Sequence, residues 1–367
     1  MRVLVLTEDY STPDDSISLH YVHSRNVWYL NAGIDVTVIS FRARSDYVID
    51  GISVYSLNSY VSNLSNVEFD ILVMHAPNLK HHLKFLQKWS DLFKKIVFFF
   101  HGHEVLRIKE TYPEPFPFVK KQSLFIELFQ DPYDLFKLKV WKNLLPKYIE
   151  KSELVFVSHW MYSMFLKFVK IDPYLINKKK HIIYNCVGKD FETTSFDYRS
   201  EKKYDFITIR HAFDNSKYGI DIVWSIAESN PQYKFCVIGK GEFFNHYSKP
   251  QNLDWIDKNL LHDELIIYLN QAKCALMPTR LDAQGVMACE MATFGMPLIT
   301  SDIDVCKEVF EGFENVEFID NEDFNVDLQS MYEKVSRKNT VKNDKYFAKN
   351  TVLQEIQLFR SLTHNKG

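Results

Sequence analysis

The stretch CALMPTRLDAQGVMACEMATFGMPLIT, residues 274–300, holds two short apolar runs separated by a turn and a helix-like segment. The first run, CALM, stops at Pro278, which has no N–H to give to a strand ladder. Gly285 marks the entry to VMACEMATF (286–294), a helix of small and apolar residues that ends at Gly295 with Pro297 beyond it. PLIT (297–300) is then the next strand. A strand, a helix and a second buried strand in succession are the unit of a parallel sheet covered on both faces. Two acids interrupt this apolar pattern, Asp282 and Glu290. Core elements rarely hold carboxylates without a partner or a ligand.

The same rhythm extends outward in both directions. Apolar runs recur at VLVL (3–6), VTVI (36–39), ILVM (71–74), IVFFF (96–100) and LVFV (154–157), then at FITI (206–209) and FCVI (235–238). Helix-length segments lie between most of them, such as 19–32 before Gly33, 220–229 before Pro231, and 263–272 behind the acid Asp263. Two such series predict an α/β chain of two Rossmann-like, doubly wound domains. The polar stretch 185–205 lies between them, giving an N-terminal domain over 1–190 and a C-terminal domain over 191–344. A last helix, roughly Lys345 to Leu362, follows the second series.

Bulk properties agree with a soluble two-domain chain. Its 367 residues suit about two domains at roughly 150 residues each. Hydrophobic content of 46% and charged content of 25% are ordinary for a globular protein. The five cysteines form no CxxC pair, which argues against a disulfide framework or a zinc cage and for a cytoplasmic setting. MRVLVLTEDY is too short an apolar run for a signal peptide, and no run approaches the ~18 residues of a membrane-spanning helix. Residues 1–190 hold 24 basic and 20 acidic residues, a balance of +4, which is too mild for nucleic-acid binding. Within them, 77–151 hold 14 basic and 8 acidic residues. That stretch contains two helical patterns. One has Leu79, Leu83, Leu86, Trp89 and Phe93 on a stripe, and the other Leu135, Leu138, Trp141, Leu145 and Tyr148. Lysines 80, 84, 88, 137, 139, 142 and 147 surround them, so both patterns read either as helices on a core with solvated lysines or as a peripheral contact with an anionic membrane. TYPEPFPFVKK, 111–121, is proline-rich and expected to be irregular.

The carboxyl end of a strand, leading into a helix N-terminus, is where open α/β sheets bind phosphorylated ligands. Free N–H groups near Gln284, Gly285 and Val286 suit a phosphate, Glu290 suits the hydroxyls of a ribose, and Asp282 those of a sugar. By spacing alone, a pair of capping or salt-bridged acids fits equally well. The segment 278–302, with Pro278, Gly285, Glu290, Gly295 and Pro297 in register, resembles the donor-binding signature of retaining GT-B glycosyltransferases, specifically glycosyltransferase family 4. That family reads roughly P-S-x-x-E-x-F-G-x-x-x-x-E-A-x-A-x-G-x-P-V-I, so Asp282 replaces its first Glu and Thr279 its Ser. Glu308 stands where the family has a later Glu. FITIRHAFDNSKYGID (206–221) resembles the family's strand–Arg–loop–Lys–Gly–helix element, which implies that Arg210 and Lys217 hold the donor diphosphate. FCVIGKGE (235–242) resembles a strand followed by G-x-G, implying that Gly239 and Gly241 let backbone approach the nucleotide. Asn185 matches the Asn that opens the interdomain segment.

The resemblance further implies a GT-B fold, two Rossmann-like domains facing a central cleft, with the 345–367 helix packing back on the first domain. His101, right after the IVFFF strand, matches a family histidine that hydrogen-bonds the transferred sugar. His103 and Glu104, and Asp14 and Asp15 in the glycine-free loop after VLVL, are candidate acceptor contacts. No acid or Cys accompanies the histidines at metal-site spacing, so neither metal nor cofactor is expected. The implied activity is retaining transfer of a hexosyl-type sugar from a nucleotide-diphosphate sugar to a hydroxyl of a glycan or lipid-linked saccharide. The setting would be polysaccharide biosynthesis at the inner face of a membrane. A GT-B-shaped isomerase or a non-catalytic sugar-nucleotide binder is the alternative. A dinucleotide oxidoreductase fits poorly, since no G-x-G-x-x-G follows a first strand.

Overall fold

The apolar runs become the central strands of two sheets in the computed structural model, which describes residues 1–12, 20–64, 66–120, 124–336 and 342–364. The chain divides into two units. The first comprises Met1–Ile108, Asp131–Cys186 and Phe347–Gly367, and the second Lys109–Gln130 and Val187–Tyr346.

The sheet of the first unit contains β1 (Arg2–Thr7), β2 (Asp35–Ser40), β3 (Tyr47–Ile49), β4 (Ile52–Tyr55), β5 (Ile71–His75), β6 (Lys95–Phe100), β7 (Ser152–Phe156) and β8 (Lys180–Ile182). Its order is β3-β4-β2-β1-β5-β6-β7-β8, parallel except for the β3–β4 edge pair. The order reverses at β1, so the crevice beyond the ends of β1 and β5 is a natural ligand position. Val3, Val5, Val36, Val38, Val73 and Phe99 are completely or almost completely buried in the core of this unit. Each such side chain contributes on the order of 1.5–3 kcal/mol relative to exposure. The helix Val352–His364 closes this core with Val352, Ile356 and Phe359, spaced i, i+4, i+7. It also brings Glu355 to Arg25 of the helix His20–Asn31 at 2.9 Å, with both side chains wholly buried.

The basic helices differ from their expected form. The second runs from Leu124 to Tyr148, with Pro132 and Pro146 inside it. Leu138, Trp141 and Leu145 are buried as the stripe requires, but Leu135 is exposed and Leu144 takes a place in the core. Lys137 is not a solvated lysine. Its ammonium is buried and donates to the carbonyls of His103 and Leu106 and to Asp134 Oδ1 at 2.7 Å. In the helix His82–Trp89 the buried residues are His82, Phe85 and Leu86.

The second unit holds β9 (Tyr204–Ala212), β10 (Phe235–Lys240), β11 (Leu253–Ile256), β12 (Ala272–Met277), β13 (Leu298–Ser301) and β14 (Val316–Ile319). They form an all-parallel sheet in the order β11-β10-β9-β12-β13-β14. The reversal lies between β9 and β12, which puts the ends of those strands at the switch point. The segment 113–119 packs on this unit. Phe116 joins its core, and Phe118 stacks on His246 at 4.4 Å between ring centroids.

Candidate nucleotide-sugar site

Arg210 stands near the carboxyl end of β9 and is buried. Its Nη2 donates to the carbonyl of Pro278 at 2.8 Å, while Nε is buried with no hydrogen-bond partner. Burial pushes its pKa down and nearby Asp282 opposes that effect. A guanidinium stays charged under such a shift. A charged donor without an acceptor in a buried place is costly, and an anion would relieve that cost.

Beyond β9 the chain makes a single 3-10 turn, Ser216–Tyr218, in which Asn215 Oδ1 accepts from the Lys217 N–H at 3.1 Å. The helix Ile220–Ser229 follows. The Lys217 ammonium lies 4.7 Å from the Tyr218 ring centroid and 5.4 Å from that of Tyr112. Arg210 lies 5.5 Å from the same Tyr218 ring, so one tyrosine neighbours both cations. Burial disfavours the Lys217 charge, but Tyr218, Tyr112 and Asp282 outweigh it, and its pKa is raised.

The loop after β12 is tied to this turn. The Arg280 N–H and the Thr279 hydroxyl both donate to the Lys217 carbonyl, at 2.8 and 2.9 Å. The Arg280 guanidinium reaches the Ser216 carbonyl at 2.9 Å and grips Asp221 through two bonds of 2.8 and 2.7 Å. Asp282 accepts from the N–H groups of Ala283 and Gln284 at 2.8 and 3.3 Å, an Asx turn that leads into the helix Val286–Phe294. Gly285 sits just before that helix at φ 72°, a conformation that penalises side-chain-bearing residues. Arg210, Thr279, Asp282, Gln284, Gly285 and Cys306 share the lining of one concave pocket.

The other sequence candidates fall at different places. Glu290, one face along the same helix, is buried and accepts the Gly188 N–H through Oε1 at 3.0 Å. Val286 is the first residue of that helix. Glu308 is half-buried on the helix Asp304–Val309, and its carbonyl accepts from Lys345. Gly239 and Gly241 are glycines for a reason internal to the chain. A Cβ on Gly239 would lie 1.8 Å from the Arg210 carbonyl oxygen, where the β9–β10 register is irregular. One on Gly241 would lie 2.7 Å from Phe213 and Asp214. The residues missed by the sequence reading are Tyr112, Tyr218, Asp214, Asp221 and Arg280. Asp214 accepts from the N–H groups of Glu242 and Phe243, fixing the glycine turn.

In the first unit, His101 directly follows β6, and its Nε2 lies 3.1 Å from His75 Nδ1. Burial and the positive charge of Arg25 hold both imidazoles well below their ordinary pKa, so they are neutral. The pairing then requires one ring to donate its N–H to the other. His103 is exposed. Glu104 is engaged within its own loop. Its side chain is fully buried, and it accepts from the N–H groups of His101 and Gly102, stapling the loop that carries His101. Asp14 and Asp15 lie outside the described residues. Among the described residues no three His, Cys, Asp or Glu side chains gather as a metal site, and no helix is long and apolar enough to cross a membrane.

Residues 190–346 match the family model described as glycosyl transferases group 1. No curated protein matches the chain in sequence. Among solved structures, sucrose-phosphate synthase from Thermosynechococcus elongatus is similar at 12% identity and a TM-score of 0.72, over 99% of each chain. A glycosyltransferase from Rickettsia africae is similar at 10% identity and a TM-score of 0.67, over 100% of this chain and 99% of that one. Anabaena HepE, solved with UDP and glucose, is similar at 11% identity and a TM-score of 0.67, over 98% of this chain and 100% of that one. These likenesses show a GT-B fold for the chain, and the match to glycosyl transferases group 1 falls in its second unit.

Proposed function

We propose that the chain transfers a hexosyl-type sugar from a nucleotide-diphosphate sugar to a hydroxyl of a glycan or lipid-linked saccharide, with retention of configuration. The observation that carries this reading is the buried, unpartnered Arg210 Nε beside the pocket that Asp282 and Gly285 line at the sheet reversal. Arg210 and Lys217 would take the two phosphates, Glu290 the ribose and Asp282 the sugar hydroxyls. The Gln284 N–H is taken by Asp282, which leaves the N–H groups at Gly285 and Val286, at the start of the helix, to favour negative charge. In the reaction the bond from the anomeric carbon to the diphosphate oxygen breaks. The bond to the acceptor oxygen forms on the same face, and the acceptor proton passes to the departing diphosphate. The chain contributes positioning and charge stabilisation, with the two cations supplying the charge and no metal required. His101, held neutral, would hydrogen-bond the sugar.

The exposed residues Tyr133, Leu135 and Phe136, with Lys139, Lys142 and Lys147 further along the same helix, favour a peripheral contact with an anionic membrane at its cytoplasmic face. HepE was solved with UDP, which makes UDP the first nucleotide to test. A thermal-shift panel of UDP, GDP, ADP, CMP and TDP is expected to show one winner. Lys217→Ala is expected to abolish transfer while leaving the fold intact. Transfer at the wild-type rate by that variant would overturn the proposal, and turnover of the donor without an acceptor would mark an isomerase.

A further inference from the structure

Lys217 does not stand on its own turn alone, because one of its two aromatic neighbours comes from 105 residues earlier in the chain, at position 112. Tyr112 follows the short helix Ile108–Thr111 and opens the sequence Tyr112-Pro113-Glu114-Pro115-Phe116. Two prolines in five residues restrict the backbone, so the separation of the two ends varies little. The far end is anchored. Phe116 is buried and meets Phe243 at 5.1 Å, and Phe118 stacks on His246 at 4.4 Å with an interplanar angle of 12°. Residues 109–130 accordingly group with the second unit, although the chain on either side of them belongs to the first. The near end brings the Tyr112 ring to 5.4 Å from the Lys217 ammonium, on a lysine already 4.7 Å from Tyr218.

We infer that Tyr112 is a positioning residue for the donor diphosphate: carried on an aromatic-anchored, proline-stiffened strap, its ring holds the Lys217 ammonium in place. A lysine is a flexible point charge on a four-carbon stem, and ordering it on ligand binding costs rotamer entropy. Two rings within about 6 Å give the ammonium cation–π attraction before any phosphate arrives, so less freedom remains to be lost. The inference rests on the proposal that Lys217 meets the diphosphate.

The test is titration of the intact chain with UDP, GDP, ADP and inorganic pyrophosphate, comparing Tyr112→Leu, Tyr112→Phe, Phe118→Ala and Lys217→Ala. Leu fills the space without a π face, and Phe restores the face without the hydroxyl. Tyr112→Leu is expected to weaken nucleotide binding roughly 3- to 10-fold, and Tyr112→Phe to stay within about twofold of wild type. Phe118→Ala, remote from the ammonium, is expected to weaken it in the same direction by loosening the strap. In steady state, donor KM should rise for Tyr112→Leu with acceptor KM unchanged. Loss in Lys217→Ala with wild-type binding in Tyr112→Leu overturns the inference and spares the functional reading. Equal loss in the Leu and Phe variants also overturns it, because the ring would then not be the operative group. Wild-type binding in Lys217→Ala overturns the functional reading itself.

Discussion

The structure gives Glu290 one job and the proposed function a second, and substitution can separate them. Its Oε1 accepts the buried Gly188 N–H at 3.0 Å, and the proposed function asks the same carboxylate to accept ribose hydroxyls. Glu290→Ala removes both. A buried donor left without its acceptor costs about 1–3 kcal/mol. For a unit of this size each kcal/mol moves Tm by about 2–4 °C, so a fall of roughly 2–12 °C is expected. Glu290→Gln keeps a carbonyl oxygen for Gly188 but loses the charge and one acceptor. Its Tm should stay near that of wild type. Nucleotide binding should still fall, because a hydrogen bond to a charged group contributes about 1.5–3 kcal/mol, or roughly 10- to 150-fold in Kd. Differential scanning calorimetry of both variants, with titration of UDP and the other diphosphates, reads the two effects independently. A Gln variant that binds every nucleotide as wild type does would refute the reasoning and leave Glu290 as an internal anchor. An Ala variant with unchanged Tm would remove the anchoring role instead.

Two further outcomes follow from the first unit. His75, His82 and His101 resist protonation when folded, His82 down to about 4, whereas the unfolded chain takes up protons near the ordinary value of about 6.5. Stability is therefore full above about pH 6.5 and falls as pH drops below it, and a Tm series from pH 8 to 5 that stays flat would contradict the burial of these rings. Glu355→Ala leaves Arg25 charged and wholly buried, and is expected to cost about 3–5 kcal/mol in denaturant unfolding, against little change for surface acids such as Glu311.

Much of the fold is written in local pattern. Every apolar run named from the sequence overlaps a strand, with only Val157 and Pro297 falling one residue outside theirs, and the helix 286–294 has the limits that Gly285 and Gly295 set for it. The strands that pattern reading missed are β3, β4, β8, β11 and β14, each of three or four residues, four of them at a sheet edge and β4 next to one, where fewer apolar residues are needed. The partners of Lys137 and Glu104 were invisible for a common reason. A buried charge satisfied by carbonyls or backbone N–H groups has the same one-letter code as a solvated one, and only the tertiary fold brings those partners up.

The same limit explains what was and was not visible in the site. Asp282 and Gly285 stood out because they lie between a strand end and a helix start, and Arg210 and Lys217 because 206–221 resembles a family element that carries both cations. Nothing in the sequence links the turn at 216–218 to the loop at 279–282, which lie about sixty residues apart in the chain. They meet because β9 and β12 are neighbours at the point where the sheet order reverses. Arg280 then fastens one loop to the other through Ser216 and both oxygens of Asp221, and Thr279 adds a bond to the Lys217 carbonyl. A bidentate guanidinium–carboxylate pair fixes direction as well as distance. Lys217 on its turn and Asp282 on its loop are thus held at one spacing without a ligand between them, which is the condition the proposed reaction sets for stabilising a charge that appears only as a sugar–phosphate bond breaks. Under the proposed function, Arg280 and Asp221 would matter to catalysis while touching neither sugar nor phosphate, and no motif that lists only contact residues would include them.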